Sequence, residues 1–174
     1  MKNFHGVAGI ILWIVLPLTS CDRDQGSVTG KVEFYLVAEF NTVGERCAID
    51  LHSVELDPDP LIWYAELLSY NPEEHIFEIT DGAKNTIQNL EHSVFGVPFG
   101  VTADGALVYT GYFWPGYSSL SCQWIVIDPL FWMGGNSLRV ELGYPGLLEG
   151  AEIPDLRNDP RILDIFRRDG KLVE

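Results

Sequence analysis

The side chains in this 174-residue chain that could bond covalently, ligate a metal or act as nucleophiles are three cysteines, four histidines and a short run of serines. His52, His75 and His92 lie 23 and 17 residues apart, which fits neither one helix face nor a finger. No metal site is predicted; Asp50 or Glu78 would complete one only if the fold brought them together. Ser118, Ser119 and Ser121 lack the Gly-x-Ser-x-Gly frame that lifts a nucleophile onto a strained turn. Their hydroxyls are expected to bond their own backbone. The carboxylate pairs Asp57/Asp59 and Glu73/Glu74 share solvated surroundings, whereas acid–base work needs opposed ones. Residues 155–159 lack the glycine and closing glutamate of a calcium loop. No catalytic residue and no cofactor is predicted, and the chain is not expected to be an enzyme.

Two patterns remain. Cys47 and Cys122 lie on or beside predicted strands. In an exported chain two such cysteines often pair, and the alternative is two buried thiols packing as small hydrophobes. Eight aromatic residues fall between Tyr109 and Trp132. Trp124, inside an apolar strand, is expected in the core. Tyr112, Trp114 and Tyr117 flank Pro115-Gly116, a turn signal. They are candidates for a stacking surface that would take a glycan, a small ligand or a partner protein; the alternative is core packing.

The amino terminus carries an address. Lys2 and His5 form a short polar region, and residues 7–18 are apolar, too few to span a bilayer. Leu18, Thr19, Ser20 and Cys21 then resemble the bacterial lipobox. The resemblance implies diacylglyceryl transfer to the Cys21 thiol, cleavage before Cys21 and acylation of the new amine. Two or three acyl chains suffice for stable anchoring, since each buried CH₂ contributes about 0.8 kcal/mol. An ordinary signal peptide, or an apolar terminus with a chance cysteine, is the alternative. Asp22 leaves the choice of membrane open. Residues 1–20 therefore read as a signal peptide, 21–30 as a lipidated cysteine with a flexible tether, and 31–174 as one extracytoplasmic domain.

The net charge is −14, and removing residues 1–20 takes away Lys2 alone. Nucleic acid is thereby disfavoured, because binding it needs clustered cations. Between Asp50 and Glu91 lie ten acids and one cation, Lys84, which reads as a solvated face. Five cations cluster instead near the carboxyl terminus: Arg157, Arg161, Arg167, Arg168 and Lys171. At 47% hydrophobic and 12% aromatic, the chain is too apolar for disorder.

Residues 78–128 form the best-signalled stretch. Thr80 caps a helix whose stripe is Ala83, Ile87 and Leu90. Asp104-Gly105 turns a hairpin between residues 94–101 and 106–113. Residues 123–128 are apolar on both faces, so that strand is expected to be central. Upstream, residues 31–40 and 47–56 read as strands, 61–69 as a short helix behind Pro60, and 75–79 as a strand. Downstream, residues 137–142 alternate as one strand. Asn158 or Asp159 with Pro160 opens a last helix buried through Ile162, Leu163 and Phe166 and closed by Gly170.

A strand ending in Thr, a Gly-Ala helix and a hairpin about Asp-Gly resemble the head subdomain of the SecD/SecDF periplasmic domain. Phe77, Ile79, Thr80, Gly82, Ala83, Leu90, Phe99, Val101, Asp104, Gly105 and Leu107 carry the likeness over residues 77–107. It implies an α+β fold, mainly antiparallel with two or three short helices and a ferredoxin-like arrangement. It transfers no catalytic residue. The expectation is a lipid-anchored, non-catalytic module of the cell envelope with an envelope protein as partner. The alternative is a glycan or small-ligand binder using residues 112–117.

Overall fold

A computed structural model describes residues 30–44, 47–131 and 134–173. In chain order these give β1 (Val32–Glu39), β2 (Glu55–Leu56), β3 (Leu67–Asn71), β4 (Ile76–Ile79), α1 (Asp81–Gln88), β5 (Val97–Ala103), β6 (Ala106–Phe113), β7 (Cys122–Ile127), β8 (Ser137–Arg139), β9 (Glu141–Tyr144) and α2 (Pro160–Arg168). The fold is α+β. A six-stranded sheet has the order β2-β1-β5-β6-β7-β9, and a three-stranded sheet the order β3-β4-β8. Every strand pair is antiparallel among the described residues except β6–β7.

The hairpin β5–β6 is the spine of the large sheet. Asp104 and Gly105 both take positive φ, 53° and 73°, as a two-residue primed turn requires. α1 starts where the Thr80 hydroxyl accepts from the Ala83 N–H at 3.2 Å, and it buries Ala83 and Ile87. α2 is capped by Asp159, begins at Pro160 and buries Ile162, Ile165 and Phe166. Its basic last turn, Arg167 and Arg168, meets the negative end of the helix dipole.

The main core lies between the two sheets and the helices. Phe77 is its hub, stacked on Tyr70 at 4.2 Å and edge-on to Phe34 at 5.4 Å. A second, smaller core covers the other face of the large sheet, with Ile49, Tyr112, Trp114, Cys122 and Val126 buried in it. β7 serves both: Ile125 and Ile127 face the main core, Cys122 and Val126 the second. That is why it is apolar on both faces.

Four expected elements are corrected. Residues 61–69 are not a helix: Ile62 bridges to Phe34, Tyr64–Glu66 form a single 3₁₀ turn, and β3 follows. The helical look of buried Leu67 and Tyr70 comes from a register shift between Leu67 and Ser69 within a strand. Residues 47–56 are not one strand, because Asp50 accepts from the His52 N–H and turns the chain at Leu51–Ser53. Residues 137–142 are split at Val140, which hands the chain from β8 in the small sheet to β9 in the large one. The strand, helix and hairpin of residues 76–113 are present, but β4 sits in the small sheet and β5–β6 in the large one. The single shared sheet of a ferredoxin-like arrangement is therefore not formed.

Candidate functional site

The second core is where the sequence candidates converge. Cys47 and Cys122 are disulfide-bonded, with Cα atoms 5.7 Å apart, and pin the loop before β2 onto β7. Around the bond, Phe40 meets Tyr112 at 6.2 Å, and Trp114 lies 6.1 Å from Tyr112 and 6.4 Å from Tyr144. The proposed stacking surface is corrected here: Tyr112 and Trp114 are each only 4% exposed, while Tyr117 is 54% exposed. β6 turns the Tyr112 ring inward, and its burial raises the phenol pKa to about 12. The Trp114 N–H is buried with no hydrogen-bond partner among the described residues. Trp124, expected in the core, is half-buried at its margin and donates to the Thr110 hydroxyl at 3.1 Å.

Above this aromatic floor two loops form an exposed apolar tip. Gly96, at φ 74°, lies on the Trp114 ring, where a Cβ would come within 2.8 Å of the indole. The loop before it lifts Val94 and Phe95 into solvent, Phe95 to 69%. The Ser118 hydroxyl donates to the Val94 carbonyl at 2.7 Å and accepts from the Leu120 N–H at 3.2 Å. The Tyr144 hydroxyl donates to the Gly116 carbonyl at 2.7 Å. The tip of Val94, Phe95, Tyr117 and Leu120 is thus held in place before anything touches it. Ser118 acts as a turn hydroxyl, as its sequence context predicts. Val94, Phe95 and Leu120 were not singled out by spacing. Val94 and Phe95 were expected at the start of the hairpin strand 94–101, whereas β5 begins at Val97 and leaves both in a loop; Leu120 lies within the serine run.

A cleft of about 490 Å³ opens beside the strand switch, lined by His75, Arg139, Glu141 and Arg157 among others. His75 has φ 54°, and its buried Nδ1 has no hydrogen-bond partner among the described residues. Burial, then the nearby Arg157 charge, lowers its pKa. The Arg157 fork is already spent: Nε and Nη2 donate to Asp155 at 2.8 and 2.7 Å, and Nη1 donates to the Val140 carbonyl at 2.9 Å. This hydrogen bonding holds the Asp155 carboxyl below the usual range, so it is a poor base. Arg157, at the cleft, thus forms with Asp155 a clamp that fixes the strand switch.

His52 is exposed, and neither His52 nor His92 joins His75. Among the described residues no group of three or more His, Cys, Asp or Glu side chains is placed to hold a metal ion. No helix of the described residues is long and apolar enough to cross a membrane. The expected signal peptide (residues 1–20), Cys21, most of the expected tether and Trp132 lie outside the described residues. Compared with protein-family models, curated proteins and solved structures, the chain matches none.

Proposed function

We propose that this protein is a lipid-anchored, exported interaction module of the bacterial envelope, tethered through Cys21 and docking a protein partner through its apolar tip. The observation that carries the reading is the tip itself. Phe95, Tyr117, Val94 and Leu120 are 69, 54, 43 and 39% exposed on loops fixed by hydrogen bonds. Loops whose backbone is already fixed lose little entropy on binding, and large apolar side chains exposed on adjoining loops suit an interaction surface. Support for export comes from the Cys47–Cys122 bond, since disulfides persist in oxidising compartments. The lipobox-like run ending at Cys21 supports the anchor.

The glycan-binding alternative loses support, because two of its three aromatic residues, Tyr112 and Trp114, are buried. Metabolic labelling with a palmitate analogue, followed by mass spectrometry of the mature terminus, tests the anchor. Label on wild type and none on Cys21→Ala is expected; an unlabelled wild-type protein released into the soluble fraction would reject it.

A further inference from the structure

The large sheet has two unlike ends. At one, Gly30 packs against Asp104 of the β5–β6 turn, Asp104 N–H donates to the Lys31 carbonyl at 2.9 Å, and Arg168 donates to the Gly30 carbonyl at 3.0 Å. Gly30 thus lies beside the basic end of α2. The apolar tip lies at the other end of the same hairpin. β5 has seven residues, so the two ends are roughly 20 Å apart.

The tip end is also acidic. In β1 the pairing Leu36–Phe99 places Glu39 level with Gly96, and Glu39 faces Glu55 of β2 directly. Like charges opposed across a ladder destabilise it. On the far side, Asp128 follows Ile127, which pairs with Phe113 at the end of β6. Glu91 stands three residues before Val94. All four carboxylates are exposed, and none joins an ion pair among the described residues.

We infer that this end of the sheet docks a protein surface in which an apolar recess, filled by Phe95, is bordered by Lys or Arg side chains that meet Glu39, Glu55, Glu91 and Asp128. The inference rests on the interaction-module reading and gives its partner a chemistry. The acidic rim repels an anionic bilayer, and Gly30, the last residue of the expected tether, lies at the opposite end. A second copy of the chain would set four carboxylates against four more. A basic-rimmed recess relieves the Glu39–Glu55 repulsion and covers the tip in one contact.

The test places the photo-crosslinking residue p-benzoylphenylalanine at position 95 in the native cell. The control places it at position 68, where Leu68 is 52% exposed on the small sheet. Sequencing of the cross-linked peptide is expected to give, from position 95 only, one partner segment that is apolar and flanked by Lys or Arg. With that partner purified, Phe95→Ser and the double variant Glu39→Gln, Glu55→Gln are each expected to weaken binding about tenfold or more, with unchanged circular dichroism. Raising salt should weaken wild type more than the double variant. Protein adducts from position 68 alone would overturn this docking face while leaving an interaction module. No protein adduct from either position would overturn the module reading too. An adduct to phospholipid, to a second copy, or to a segment without basic residues would overturn the inferred partner.

Discussion

The two faces of the six-stranded sheet are covered by different means. The main core is sealed by regular elements: β3, β4, α1 and α2 bring Tyr70, Phe77, Ala83, Ile87 and Phe166 against Phe34, Phe99 and Phe113. The second face is covered by irregular chain, with Phe40, Ile49 and Val54 laid over Tyr112, Trp114 and Val126 and bound by the Cys47–Cys122 bond. Periodic burial can seal a face without a covalent link. A loop with a few apolar side chains gains from a staple, because the bond removes conformations from the unfolded chain.

The largest expected effect is on the first face. Phe77→Ala removes the hub of the aromatic cluster and should cost about 3–5 kcal/mol in urea unfolding, enough to leave a marginal domain unfolded. A loss under about 1 kcal/mol would mean that the main core is not organised around Phe77. Next is the staple. Cys47 and Cys122 are 75 residues apart, and their joint replacement by Ser should cost about 2–4 kcal/mol. The midpoint of denaturation should drop while far-ultraviolet circular dichroism from the main core persists below it. Equal stability with and without the bond would dissolve the contrast between the faces.

Acid should act mainly through the clamp and the two ends of α2. His75 is lowered by burial and Arg157, Asp155 by the Arg157 hydrogen bonds, Asp159 by those of Arg161, and Asp169 to about 2 by Arg168 and then Tyr64. Each group keeps its full contribution above its unfolded value and loses it as pH falls through the folded one. Between about pH 7 and 9 the melting temperature should therefore be flat; it should begin to fall below about 6.5, where His75 of the unfolded chain takes up a proton, and fall further below about 3.8. In His75→Gln the first step should vanish and the second remain.

The smallest effect separates two tyrosines. The Tyr70 hydroxyl donates to Asn158 Oδ1 at 2.8 Å or to the Arg157 carbonyl at 2.9 Å, whereas the buried Tyr109 hydroxyl has no partner among the described residues. Tyr70→Phe should cost about 1 kcal/mol, and Tyr109→Phe should be neutral or slightly stabilising. Thermal denaturation of the pair distinguishes them, and equal costs would point to an unseen partner for Tyr109.

Legibility in the sequence follows the same division. α1, α2 and the β5–β6 hairpin announce themselves through local chemistry: the Thr80 and Asp159 caps, Pro160, and the Asp104-Gly105 turn. The doubly apolar run of β7 reveals a strand between two packed layers. What was not legible depends on partners distant in sequence. Ile62 joins a strand only because Phe34 is there to bond it, and Val140 changes sheets only because His75 and Arg157 hold its two backbone groups. The candidate site was half-visible. Two cysteines and a cluster of aromatics signalled the second core, but whether Tyr112 and Trp114 faced in or out depended on the loop that covers them. Phe95 reads in the sequence as part of the apolar hairpin strand 94–101, but β5 begins only at Val97, and Gly96 resting on Trp114 turns Phe95 out into the loop before it.

The measurement that bears most directly on the account is the thiol state of the protein in its native cell. Acid quenching and alkylation without reductant, followed by peptide mass analysis, reports Cys47 and Cys122 together. Both are expected to be unalkylated and recovered as one linked peptide pair, with alkylation only after reduction. Free, alkylated thiols at both positions would contradict it, leaving the second face unstapled and removing the compartment argument for export.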